Sequence, residues 1–143
     1  MKRFGISLLS FLFISNSAWA LTGDDTFLHA QAAYQSRNDT QLAADANLLH
    51  SQNHPLANYA DYWLMLLKLT TSDKATIQDF LVANVDYPFA DKVRVEWLKI
   101  LAKRQDWPAF FEELPRYKGE DTAITCYAIE GRAKTGDLIA LAE

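Results

Sequence analysis

Pro55-Leu56-Ala57-Asn58-Tyr59-Ala60-Asp61-Tyr62-Trp63-Leu64-Met65-Leu66-Leu67 is the stretch on which the fold turns. Within it Leu56, Tyr59, Ala60, Trp63, Leu64 and Leu67 recur at three- and four-residue steps, the period of a helix with one buried face. The pattern returns further along the chain. Pro55-Leu56-Ala57-Asn58 is echoed 33 residues later by Pro88-Phe89-Ala90-Asp91, and Trp63-Leu64-Met65-Leu66-Leu67 is echoed by Trp97-Leu98-Lys99-Ile100-Leu101. A proline suits the first position of a helix, where its missing N–H costs nothing, so each copy predicts a helix that starts at its proline.

Working outward, Phe27, Ala30 and Tyr34 keep the same step, as do Leu42, Ala46 and Leu49; Ile77, Phe80 and Leu81; Trp107, Phe110, Phe111 and Leu114; and Ile124, Tyr127, Ala128 and Gly131. No stretch alternates with period two, so no strand is expected. Asn38-Asp39-Thr40, Ser72-Asp73, Gln105-Asp106 and Gly136-Asp137 each set an Asp before a new stripe, where it is expected to cap the free amides of the next helix. Asn38-Asp39-Thr40 also matches a glycosylation sequon, and capping is the simpler use of it.

The four Asp positions are 34, 33 and 31 residues apart. A unit of proline, helix, Asp turn and helix at about 34 residues is the period of tetratricopeptide-like arrays, in which each helix hairpin covers its neighbour. The expected fold is therefore all-α: a superhelical array, or α-α solenoid, of three hairpins and most of a fourth. The last helix, from Asp137, reaches only Glu143, without a polar outer face, so residues 21–143 read as the N-terminal part of a longer superhelical domain, truncated at its C-terminal end. Leu138 and Leu141, left uncovered there, predict self-association through that end.

Ahead of this domain, Lys2 and Arg3 precede the apolar run Phe4 to Ile14, then Ser15-Asn16-Ser17 and Ala18-Trp19-Ala20. That order of charge, apolar run and small residues predicts a cleavable signal peptide over residues 1–20, export to the periplasm and a mature chain starting at Leu21. The run is short for a membrane span and no lipobox cysteine follows it. Loss of Lys2 and Arg3 leaves 12 basic against 18 acidic side chains, a formal charge of −6. Such a surface argues against nucleic acid or an anionic membrane as partner.

Candidate chemistry is sparse. Cys126 is the single cysteine, which excludes an internal disulfide, and its place in a helical stretch predicts a buried structural thiol. Glu112 and Glu113 are adjacent and read as a solvated edge. Glu96 and Glu130 are expected to be buried partners of an arginine such as Arg94 or Arg132. His50 and His54 have the four-residue spacing of a helical metal pair, but Asn53 and Pro55 end the helix between them. His29 stands alone. Trp63, Trp97 and Trp107 lie on apolar stripes, which favours packing over sugar stacking. No catalytic, cofactor-binding or metal residue is expected, and no cofactor.

One set of words is more specific than the period. The run from Pro88 to Ala102, Gln105-Asp106-Trp107-Pro108-Ala109-Phe110, and Thr125-Cys126-Tyr127-Ala128-Ile129 through Thr135-Gly136-Asp137 resemble the N-terminal superhelical region of the soluble lytic murein transglycosylases. The resemblance covers most of the chain after residue 20 and is strongest from Phe80 to Asp137. It implies a periplasmic protein of peptidoglycan turnover, of a family that cleaves the glycosyl bond between N-acetylmuramic acid and N-acetylglucosamine, with glycan strands as partner. The family's catalytic glutamate lies in a lysozyme-like domain, in a Glu-Ser pair. No Glu-Ser pair occurs here, so the segment is expected to be inactive alone. The alternative expectation is an exported helical-repeat adaptor that binds periplasmic proteins.

Overall fold

The computed structural model describes residues 22–136. The expected signal peptide and the expected last helix from Asp137 therefore lie outside the described residues. Within them the chain forms seven α-helices, one 3-10 turn and no strand: α1 (Gly23–Gln35), α2 (Asp39–Ser51), α3 (Ala57–Lys68), α4 (Lys74–Ala83), α5 (Pro88–Lys103), α6 (Trp107–Glu113), the 3-10 turn Leu114–Arg116, and α7 (Thr122–Thr135). The all-α expectation holds, and none of these helices is long and apolar enough to cross a membrane.

Five of the seven described helices start at a side chain that satisfies orphan amides. Asp73 accepts from the Thr76 amide at 2.8 Å and Asp106 from the Ala109 amide at 3.3 Å, as anticipated. At the head of α2 the cap is Asn38, which accepts from the Gln41 amide at 3.1 Å, and Asp39 is already the first helical residue. Two further caps had no place in the Asp pattern. Thr22 and Asp25 form a capping box on α1, and Asp121 accepts from the Ala123 and Ile124 amides of α7. Pro88 is the first residue of α5, whereas Pro55 sits in a turn two residues before α3. The α3 helix begins after Leu56 with no side-chain cap.

The ends of α1, α2 and α5 are alike. Arg37, Asn53 and Gln105 each take positive φ, at 56°, 52° and 57°. After α1 the Asn38 amide reaches back to the Ala33 carbonyl at 2.9 Å, and after α5 the Asp106 amide reaches the Leu101 carbonyl at 3.0 Å. These are Schellman-type ends, in which a left-handed residue turns the chain sharply enough for the next helix to return.

Apolar stripes bury in two clusters. The first joins Ala30, Leu42, Ala46, Leu49 and Ala60 from α1, α2 and α3. The second joins Ile77, Val93, Trp97, Leu98, Leu101, Trp107, Phe110 and Ile124 from α4 to α7. Helix α3 serves both: Trp63, Leu64 and Leu67 pack on the first cluster, Tyr62, Met65 and Leu66 on the second. Full burial of a side chain such as Leu49 or Phe110 contributes roughly 1.5–3 kcal/mol.

Consecutive helices pack on one another except α3 and α4, and each odd-numbered helix packs on the next odd-numbered one. Helix α1 packs on α2 and α3, α2 on α3, α3 on α5, α4 on α5, α5 on α6 and α7, and α6 on α7. The last contact depends on Gly131, because a Cβ there would lie 2.5 Å from Cε3 of Trp107.

Candidate functional site

Helices α4, α5 and α6 leave a groove of about 600 Å³ between them. One wall is apolar: Leu81 and Val82 near the end of α4, and Val85 in the turn that follows. Val82 and Val85 are 75% and 69% exposed, unusually open for aliphatic side chains beside a cavity. The opposite wall is ionic. Asp91 and Arg94 come from one face of α5, and Glu112, Glu113 and Arg116 from α6 and the 3-10 turn, with Lys118 at the edge.

Arg94 organises the ionic wall. Its side chain is 10% exposed and that of Glu113 is 5% exposed, and the Arg94 Nε donates to Glu113 Oε1 at 2.8 Å. Arg94 Nη1 donates to Asp91 Oδ1 at 2.7 Å, and Arg116 Nη1 to Glu113 Oε2 at 3.1 Å. Buried charges persist only when paired in this way. Glu112, one residue before Glu113, turns outward to Lys74. The hydrogen bond from Lys74, and then its charge, hold the Glu112 carboxyl below the ordinary carboxylate range.

Several expectations are corrected here. Glu113 is not a solvated edge but a buried partner of two arginines, while Glu112 does stay exposed. Glu96 and Glu130 are exposed, and Glu96 pairs with Lys99 at 3.2 Å, not with Arg94. Cys126 is exposed rather than buried. Helix α7 carries apolar residues around its whole circumference, so the turn that buries Ile124 and Gly131 leaves Cys126 and Ile129 outward. His29 is not alone, since its Nδ1 lies 3.0 Å from Oδ2 of the buried Asp45, joining α1 to α2.

His50 and His54 are separated by the end of α2, as expected, and go to different carboxylates. His50 Nε2 lies 2.6 Å from Asp61 Oδ2, and His54 Nε2 lies 3.2 Å from Asp24 Oδ1. Among the described residues no three His, Cys, Asp or Glu side chains gather as a metal site.

The aromatic residues pack as read from their stripes. Trp97 and Trp107 are buried, and Trp63 is half-buried, stacked between Phe27 at 5.1 Å and Tyr34 at 5.7 Å. Phe89 is sandwiched between Tyr62 and Tyr87, each with its ring centre 5.0 Å away. Trp19 lies outside the described residues.

General acid–base chemistry at a carboxyl needs a proton that can be given up to a substrate. Glu113, the one buried carboxylate of the groove, has both oxygens engaged by guanidinium donors, an arrangement suited to holding α5 and α6 together. No protein-family model, curated protein or solved structure matches the chain.

Proposed function

We propose that this chain is a non-catalytic helical-repeat segment of an exported protein of peptidoglycan turnover, the N-terminal superhelical part of a soluble lytic murein transglycosylase. On this reading α1, α3, α5 and α7 are the first helices of successive hairpins, and α2, α4 and α6 are the second. The observation that carries it is the packing order, in which each first helix packs on the next. The α1–α2 and α5–α6 turns support it, since their left-handed residues Arg37 and Gln105 stand 68 residues apart, two periods of 34, with the same reach-back hydrogen bond. The motif words quoted above supply the cell-wall assignment.

In such an array the first helices line one side, along which the Phe27, Trp63, Tyr59 and Phe89 rings run in contact from α1 through α3 to α5. That side would shape the ring through which glycan strands reach a catalytic domain.

The test uses purified sacculi. The chain is expected to sediment with them and to release no anhydro-muropeptide. Release above a buffer control refutes the non-catalytic assignment, and absence of sacculus binding favours an adaptor for periplasmic proteins.

A further inference from the structure

Seven residues before a left-handed helix end, three helices of this chain hold a side chain that water does not reach. Arg37, Asn53 and Gln105 are the left-handed residues after α1, α2 and α5, and seven places back stand Ala30, Ala46 and Leu98, at 0%, 2% and 0% exposure. Helix α7 ends at the left-handed Gly136, with φ 78° and its amide donating to the Arg132 carbonyl. The residue in the same place there is Ile129, and it is 52% exposed. Cys126, three residues before it, and Ala133, four after, share its side of the helix and are exposed as well. Helix α7 turns Ile124 and Gly131 inward, so the side that α1 and α5 bury faces solvent here.

The helix that follows the left-handed turn helps to close that side in the two hairpins. Asn38 and Asp106, one residue past the turn, cap α2 and α6. Leu42 and Phe110, five residues past it, are each 0% exposed, and they lie in the same clusters as Ala30 and Leu98 respectively. After Gly136 those two places are taken by Asp137 and Leu141, which lie outside the described residues.

We infer that the outward side of α7 is a docking surface for residues 138–143 of the same chain, with Leu141 seated against Ile129 and the Cys126 thiol screened beneath. The occupant is local because the connection from Gly136 to Leu141 is as long as those from Arg37 to Leu42 and from Gln105 to Phe110, and so short a closure costs little chain entropy. The inference rests on register and burial within this chain and is independent of the cell-wall reading.

The experiment uses the full chain and two measurements: methyl NOEs between Ile129 and Leu141, and the rate at which a maleimide modifies Cys126, the single cysteine. The NOE is expected within one copy and unchanged on dilution. Leu141→Asp is expected to speed modification of Cys126 about tenfold or more, by opening its cover. Val85→Asp, at an exposed aliphatic residue in the turn after α4, is expected to leave the rate unchanged. Absence of the NOE, or equal rates with and without Leu141→Asp, overturns the inference. So does an NOE found only between differently labelled copies, which makes a second copy the occupant. The NOE is read on the unaltered chain, so it decides the matter even where Leu141→Asp perturbs the fold.

Discussion

Arg94 on α5 and Glu113 on α6, nineteen residues apart, meet at 2.8 Å with both side chains nine-tenths or more removed from water. Removing either charge leaves the other with a single ionic partner, Asp91 for Arg94 or Arg116 for Glu113. Glu113→Ala is expected to destabilise the chain by about 3 kcal/mol, the cost of leaving a buried guanidinium without its main partner. The double replacement Arg94→Met with Glu113→Leu is expected to recover most of that loss. Urea unfolding of the three chains measures both effects, and a loss below about 1 kcal/mol in the single variant would mean the pair is solvated.

Gly131 is expected to tolerate no side chain. An added Cβ would meet the ring of Trp107 at 2.5 Å and that of Phe111 at 3.0 Å, and Trp107 is itself buried. Alanine ordinarily improves a helix interior by up to about 1 kcal/mol over glycine. Here Gly131→Ala is expected to cost roughly 1–3 kcal/mol by forcing α7 away from α6. A stabilised variant in a thermal melt would contradict the close approach.

Trp97 and Trp63 occupy corresponding positions in the two sequence copies and differ in burial. Trp97 is 4% exposed within the second cluster, and Trp63 is half-buried at the edge of the first. Trp97→Ala is expected to cost about 3–5 kcal/mol, and Trp63→Ala measurably less. Equal costs in denaturant titrations would show that Trp63 is covered in solution.

Lys99 and Asp121 pair at 3.2 Å, joining α5 to the cap of α7. The hydrogen bond from Lys99 pulls the Asp121 carboxyl below its ordinary value, and the hydrogen bond to Asp121 is the main cause that raises Lys99. The lowered carboxyl contributes stability above about pH 4, lost as the pH falls through its folded value. The raised amine contributes fully below about pH 10, and its share is lost as the pH rises through its folded value. Amide exchange at Ala123 and Ile124 is therefore expected to gain protection between those limits, corrected for intrinsic rates, and Lys99→Met is expected to reduce the pH dependence at both ends.

Helix positions were legible in the sequence because periodicity and local breakers fix them: the stripe from Tyr59 to Leu67 and that from Val93 to Leu101 fall inside α3 and α5. Caps were legible where the Asp stood alone, at Asp73 and Asp106, and misplaced by one residue where Asn38 competed with Asp39. The groove was not legible. Its ionic wall is made of residues from α5 and α6 whose meeting depends on how the helices rotate, and adjacent Glu112 and Glu113 face opposite environments for that reason. Cys126 was misjudged because the apolar residues of α7 are spread around the helix among polar ones and mark no single inward face. His29 and Asp45, sixteen residues apart on different helices, leave no local trace at all.

The sharing of α3 between two clusters sets how this chain can be divided. A cut in the turn before Ala57 takes from α1 and α2 the helix that closes their cluster, and a cut after Leu69 takes Tyr62, Met65 and Leu66 from the other side. Each cut leaves one fragment without the helix that completes its cluster, so two halves that each kept a complete cluster would both have to carry α3.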